Sequence, residues 1–263
     1  MQSITITNSG GGVAKTSTAV NLAATLSQNG DQVLIVDLDA QGSASDWLGH
    51  DVSDRQHLLL DVLLGELDTV DAIQTTYLDN LDLIPSSFHL YQAEKHLSDE
   101  VAADTLLKIA LEQVADSYDW VVLDTPPQIG ILSYNAMLAA PYGLIIPCEA
   151  SYKSLHAMKA LMRVIKLMKT RRCSDINLLG ILPSRVDLRT KSSIEAVDVL
   201  KDTFGDTVFA TLITESVVMK DAPSHHLSVV DYAPKSKTAK QINDFTNEVK
   251  HRLSTKVTVN AAA

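Results

Sequence analysis

The chain reads as an α/β protein, a single doubly wound and mostly parallel sheet with helices on both faces. Three features predict it. Apolar runs long enough for buried strands alternate with segments of helical periodicity. A glycine-rich turn separates the first strand from the first helix, and aspartates end two further strand-like runs. Sheets of this kind bind ligands at the carboxyl ends of their strands, which is where the turn and the aspartates fall.

Ser3-Ile4-Thr5-Ile6-Thr7 alternates polar and apolar β-branched residues, the pattern of a short strand. Asn8 to Thr18 follows, reading Asn-Ser-Gly-Gly-Gly-Val-Ala-Lys-Thr-Ser-Thr. Ala19, Leu22, Ala23 and Leu26 then keep helical spacing, and Gly30 suits the stop. Strand, glycine-rich turn and helix form the context of a phosphate-binding loop. Backbone N–H groups from Gly11 to Lys15 can converge on phosphate oxygens, Lys15 can reach the β and γ oxygens, and the Thr16 hydroxyl can coordinate Mg²⁺. Ser9 and Ala14 stand where the usual pattern has glycine; with a negative φ at Ala14 the loop is expected to form at little cost.

Val33–Asp37, Leu81–Pro85, Trp120–Asp124, Gly143–Pro147, Asn177–Leu182 and Thr207–Leu212 supply further apolar strands. Helical patterns cover Asp99–Ala115, Tyr152–Thr170 and Ser192–Phe204. In the final helix Ile242, Phe245, Val249 and Leu253 make one stripe, read as docking on the sheet. Nothing resembles a linker or repeat, so residues 1–253 read as one domain. Residues 254–263 read as a flexible tail, with Ala261-Ala262-Ala263 an appended scar.

A chain of 263 residues with 46% hydrophobic and 21% charged residues fits an ordinary globular protein. No stretch approaches the roughly 20 apolar residues that span a bilayer, and the start lacks a signal-peptide layout, so a cytoplasmic location is expected. Cys148 and Cys173, the two cysteines, make no disulfide framework or zinc spacing. A net charge of −10 excludes bulk attraction to nucleic acid and leaves any DNA contact to a local basic patch.

Asp37 and Asp39 follow the second strand one residue apart, placed to serve a metal or to position water for attack on a γ-phosphate. Asp124 ends four apolar residues and is expected to hold the Mg²⁺ hydration shell.

Together, Gly11-Gly12-Val13-Ala14-Lys15-Thr16, Val36-Asp37-Leu38-Asp39-Ala40-Gln41-Gly42 and Tyr118 to Pro127 resemble the ParA/MinD group of deviant Walker P-loop ATPases. Asp187-Leu188-Arg189-Thr190 and Ala222-Pro223-Ser224-His225 extend the likeness. The resemblance implies an ATPase using ATP and Mg²⁺ that dimerises face to face around two nucleotides. It implies nucleotide contacts at Gly10, Gly11, Gly12, Val13, Ala14, Lys15, Thr16, Ser17, Pro183 and Asp187. It assigns Asp39 to hydrolysis with Lys15, and metal support to Thr16, Asp37, Asp39 and Asp124.

At Gly10 the family places a lysine that reaches the partner's phosphates, and glycine cannot replace it. Lys153, after the strand-end stretch Pro147 to Tyr152, is the candidate replacement. Loss of that lysine together with Ala14 is similar to the McdA branch, which positions carboxysomes on the nucleoid with a small adaptor. The alternative is plasmid or chromosome partition with a centromere-binding protein. Either role implies non-specific DNA binding by the ATP dimer. Relatives often carry arginine where Glu215 and Val218 stand, leaving Lys220 there and Lys235, Lys237 and Lys240 before the last helix. Lys159, Arg163 and Lys166 share a helix face and form a second basic group. Membrane attachment is not expected, because Asp244 and Glu248 flank the final apolar stripe. A metabolic P-loop enzyme or an electron-transferring iron protein would need a substrate constellation or cluster cysteines that the chain does not display.

Overall fold

A computed structural model describes residues 1–51, 58–97, 100–141, 143–172 and 176–261; the side chains of 94, 152, 153, 155–157, 172 and 256–261 lie outside that description, as does Cys173. The strands are β1 (Gln2–Ile6), β2 (Val33–Asp37), β3 (Gln74–Thr75), β4 (Leu81–Ile84), β5 (Trp120–Asp124), β6 (Leu144–Glu149) and β7 (Leu178–Ser184). The helices are α1 (Lys15–Gln28), α2 (Ser43–Trp47), α3 (Leu58–Leu64), α4 (Ala93–Leu97), α5 (Leu106–Glu112) and α6 (Ile131–Ala139), then α7 (Tyr152–Arg172), α8 (Lys191–Phe204), α9 (Val217–Asp221), α10 (Val229–Tyr232) and α11 (Lys237–Ala261).

The sheet runs β3-β4-β2-β5-β1-β6-β7. All pairings are parallel except β3 with β4. Alternate residues of a central strand feed opposite layers, as a period of two requires. Ile35 and Val122 join the layer with α1 and α11, whereas Leu34, Val36, Val121 and Leu123 join the layer with α3, α5 and α6. Both faces are therefore covered, and the apolar strands are explained.

Four differences from the sequence reading have local causes. Thr207–Leu212 is not a strand: Val208 and Thr214 form only isolated parallel bridges, to Ile181 and Val186. The last helix takes the backbone groups that a ladder would use. The Glu248 carboxylate accepts Ala210 N at 2.9 Å and Thr211 N at 3.0 Å, while Arg252 donates to the Val208 carbonyl at 2.8 Å and the Leu179 carbonyl at 3.1 Å. Gly180 is needed beneath this crossing, because a Cβ there would run into the Phe209 ring.

The helix expected over Asp99–Ala115 shrinks to α5, since Ala102 turns left-handed at φ 55° and its carbonyl accepts Thr105 N at 2.8 Å. The residues from Ser254, expected as a flexible tail, continue α11 to Ala261. The edge strand β3 is too short, at two residues, to leave a periodic signal.

Candidate nucleotide site

Parallel register brings the ends of three strands together: Ile6 and Asp37 both stand opposite Asp124. The loop leaving β1 is clamped by side chains. Asn8 Nδ2 donates to the Pro147 carbonyl at 2.6 Å, Asn8 Oδ1 accepts Gly10 N at 3.0 Å, and Ser184 Oγ donates to the Val13 carbonyl at 3.1 Å. A Cβ at Gly10 would stand 2.9 Å from Val13 Cγ1, so the loop is packed for the glycine found there.

Ala14 does not have the negative φ expected of it. It lies in the left-handed region at φ 72°, ψ 30°, where its carbonyl accepts Thr18 N at 3.0 Å and Thr18 Oγ1 at 2.7 Å. Entry into α1 from this turn forces the conformation, at about 1 kcal/mol for a residue with a Cβ. Ala14→Gly should therefore raise unfolding stability by about 0.5–1 kcal/mol, measurable by urea titration; a loss would show that the Ala14 methyl contributes more than the backbone strain costs.

Lys15 is buried and its Nζ donates to the Gly10 carbonyl at 2.9 Å. Thr16 Oγ1 donates to Asp124 Oδ2 at 2.7 Å, while the buried Asp124 Oδ1 has no hydrogen-bond partner. Burial pushes the Lys15 amine down and the Asp124 carboxyl well up, and it outweighs their mutual attraction. Asp37 beside Asp124 raises the latter further. A phosphate on Lys15 and a cation at Asp124 would each favour the charged form. The orphaned carboxylate oxygen next to a hydroxyl fits Mg²⁺ or its bound water. Among the described residues there is no cluster of three or more His, Cys, Asp or Glu that could hold a metal ion.

Asp37, expected among the metal-supporting residues, is otherwise engaged. Its Oδ1 accepts Asp39 N at 3.1 Å and its Oδ2 accepts Ser45 N and Ser45 Oγ at 2.9 and 2.8 Å. It organises the loop that presents Asp39. Full burial lifts its carboxyl to about 6, against the lowering effect of the Ser45 and Asp39 hydrogen bonds. The folded value lies above the unfolded one, so this contribution to stability is complete below about pH 4 and is lost as pH rises through about 6. Between pH 5 and pH 7.5 the wild type should lose more stability than Asp37→Asn in parallel urea titrations; equal losses would refute the raised value.

A cleft of about 580 Å³ opens over the loop, walled by Gly11, Gly12, Lys15 and Thr16 and by Ile213, Met219 and Pro223 across from them. Ala14, Ser17, Asp39 and Arg185 also line it. The half-buried Asp39 accepts Gln41 N on Oδ1 at 3.0 Å. Of the expected nucleotide contacts, Gly10 and Val13 belong to the loop but do not line the cleft, and two more fall elsewhere. Pro183 is buried in β7, its carbonyl accepting Ile213 N at 2.9 Å. Asp187 lines an adjoining cleft of about 520 Å³ and is forked by Arg189 at 2.8 and 2.9 Å. Arg185, which lies between them in sequence, was not singled out by any motif.

The candidate DNA residues are unequal. Lys235, Lys237 and Lys240 are exposed around the start of α11, whereas Lys220 is paired with Glu215 at 2.9 Å. Lys159, Arg163 and Lys166 are exposed along α7. Lys153 belongs to the first turn of α7, and its side chain lies outside the described residues. No helix among the described residues is long and apolar enough to cross a membrane.

A family described as an AAA domain matches residues 1–178. The sporulation initiation inhibitor protein Soj of Bacillus subtilis is 36% identical over 94% of this chain and 97% of its own. The structure of apo McdA from Cyanothece superposes with a TM-score of 0.86 at 26% identity, covering 96% of this chain and 99% of that one. Cobyrinic acid a,c-diamide synthase from Mycobacterium smegmatis, with a bound ATP analogue and magnesium, gives 0.81 at 29% identity over 94% and 93%. With the phosphate-binding loop, the Asp37–Asp39 pair and Asp124 gathered at one set of strand ends, these matches make the chain a member of the ParA/MinD family of deviant Walker ATPases, with ATP and Mg²⁺ as its ligands.

Proposed function

We propose that this ATPase is a dimeric switch that binds DNA non-specifically in its ATP state and positions a cargo, carboxysomes being the first candidate, with an adaptor triggering hydrolysis. The observation that carries the reading is the meeting of Lys15, Thr16, Asp39 and Asp124 around one cleft. Backbone amides of Gly11 to Lys15 hold the phosphates, and Lys15 neutralises them. Thr16 and Asp124 would hold the magnesium, which when bound would offset negative charge on the phosphates. Asp39 orients the attacking water. Lys153 supplies the cation that Gly10 cannot, from the facing protomer. The exposed lysines at the start of α11 carry the DNA contact, because a few cations doubled by dimerisation suffice even for an acidic protein.

Similarity to McdA supports the carboxysome cargo, and similarity to the chromosome-partitioning ATPase Soj of Treponema pallidum supports the alternative, partition with a centromere-binding protein. The two readings share the chemistry and differ in which adaptor stimulates turnover. Retention on DNA should require ATP, fail with ADP and fall steeply as salt is raised. Binding that ignores the nucleotide, or no binding at all, would refute the DNA-linked switch.

A further inference from the structure

Arg185 follows β7 with its backbone in the left-handed region at φ 52°. Its segment is tied to the opposite wall: Val186 N donates to the Ile213 carbonyl and Glu215 N to the Val186 carbonyl, both at 3.1 Å. The side chain reaches across to the phosphate-binding loop, where Nη1 donates to the Gly12 carbonyl at 2.8 Å. A Cβ on Gly12 would stand 3.6 Å from the same nitrogen, so the guanidinium lies directly against that glycine.

Three cations line the cleft. Lys15 stands on the Gly10 carbonyl and Lys220 is held by Glu215 at 2.9 Å. Arg185 also lines it, and its one ionic contact among the described residues is Glu215 at 3.9 Å, a distance and exposure at which attraction is weak. A guanidinium has five N–H donors in a planar fork suited to phosphate oxygens, and only part of that fork is used on Gly12. Its attachment point lies among the residues whose amides converge on phosphate.

We propose that Arg185 is a phosphate-binding residue, acting on the nucleotide of its own protomer: the guanidinium that rests on the Gly12 carbonyl takes a phosphate oxygen when nucleotide enters. The assignment rests on the ATP reading of the same cleft, and adds a cation distinct from Lys15 and from any residue of a facing protomer. The Gly12 carbonyl sets the resting position of the fork.

The test is calorimetric binding of ATP and of inorganic tripolyphosphate to the full chain as wild type, Arg185→Met, Arg185→Lys and Lys15→Ala. Arg185→Met should weaken both ligands about tenfold or more while the nucleotide-free melting temperature stays unchanged. Arg185→Lys, keeping the charge without the fork, should recover part of the loss. Unchanged binding in Arg185→Met overturns the proposal. So does a loss for ATP with tripolyphosphate unaffected, which would place the guanidinium on the ribose or base. If the methionine variant is unstable, the lysine variant decides, since binding of both ligands equal to wild type contradicts a fork on phosphate. Lys15→Ala separates the two levels: normal binding there would sink the ATP reading itself, whereas loss there with normal Arg185→Met sinks only the role of Arg185.

Discussion

Lys15→Ala is expected to weaken ATP binding about a hundredfold or more and to remove turnover with it. Lys15 Nζ sits in a water-poor site on the Gly10 carbonyl, and the charges near it are Asp124 and Asp39. Burial disfavours the charged amine against the opposing pull of Asp124 and Asp39, so an anion beside it would offset the desolvation of its charge. An arriving phosphate restores the charge at short range, where a charge-assisted hydrogen bond contributes far more than in water. The amides of the loop remain in the variant, so weak residual binding is consistent with the account. Affinity within a few fold of wild type, measured by calorimetry, would contradict it.

Asp39→Ala should show the opposite division. ATP affinity should persist while turnover falls about a hundredfold or more, so that the ATP-bound form accumulates. Asp39 lines the cleft, and its neighbour Asp37 is fully engaged with Ser45 and the Asp39 amide. The pair thus divides its labour: the buried aspartate fixes the turn and the half-buried one lines the cleft. Because Gln41 N also relies on the Asp39 carboxylate, Asp39→Asn is the better control for loop shape. An asparagine variant with normal turnover would show that the loop matters and the charge does not. Measurement of single-turnover rates alongside ATP affinity separates these cases.

The strands β2, β5 and β6 were legible because burial on both faces demands uninterrupted apolar runs, and Val33–Asp37 and Trp120–Asp124 supply them. The first, seventh and eighth helices were legible from spacing alone. The span from Thr207 to Leu212 misled because its centre is apolar and buried at Val208 and Phe209, whereas Ala210 N and Thr211 N donate to Glu248 and the Val208 carbonyl accepts from Arg252, both on the last helix. No local pattern announces such an arrangement.

The site divides in the same way. Lys15, Thr16, Asp39 and Asp124 lie in local strand-end motifs, so their residue types and spacing exposed them. Arg185 touches the loop across 173 residues of chain, and a lone arginine after a strand has no spacing to betray it. Ala14 is a third kind of case. Its methyl argues for an ordinary backbone, but the turn into α1 holds it left-handed. At Gly10 a Cβ would stand 2.9 Å from Val13 Cγ1, so a side chain there would require the buried valine to shift.

The most direct test of the switch is the mass of the protein in solution by light scattering with ATP and with ADP, at matched concentration and with magnesium present. A dimer is expected with ATP, persisting longest in Asp39→Ala, and a monomer with ADP. A single mass in both nucleotides, in the wild type and in Asp39→Ala alike, would contradict it.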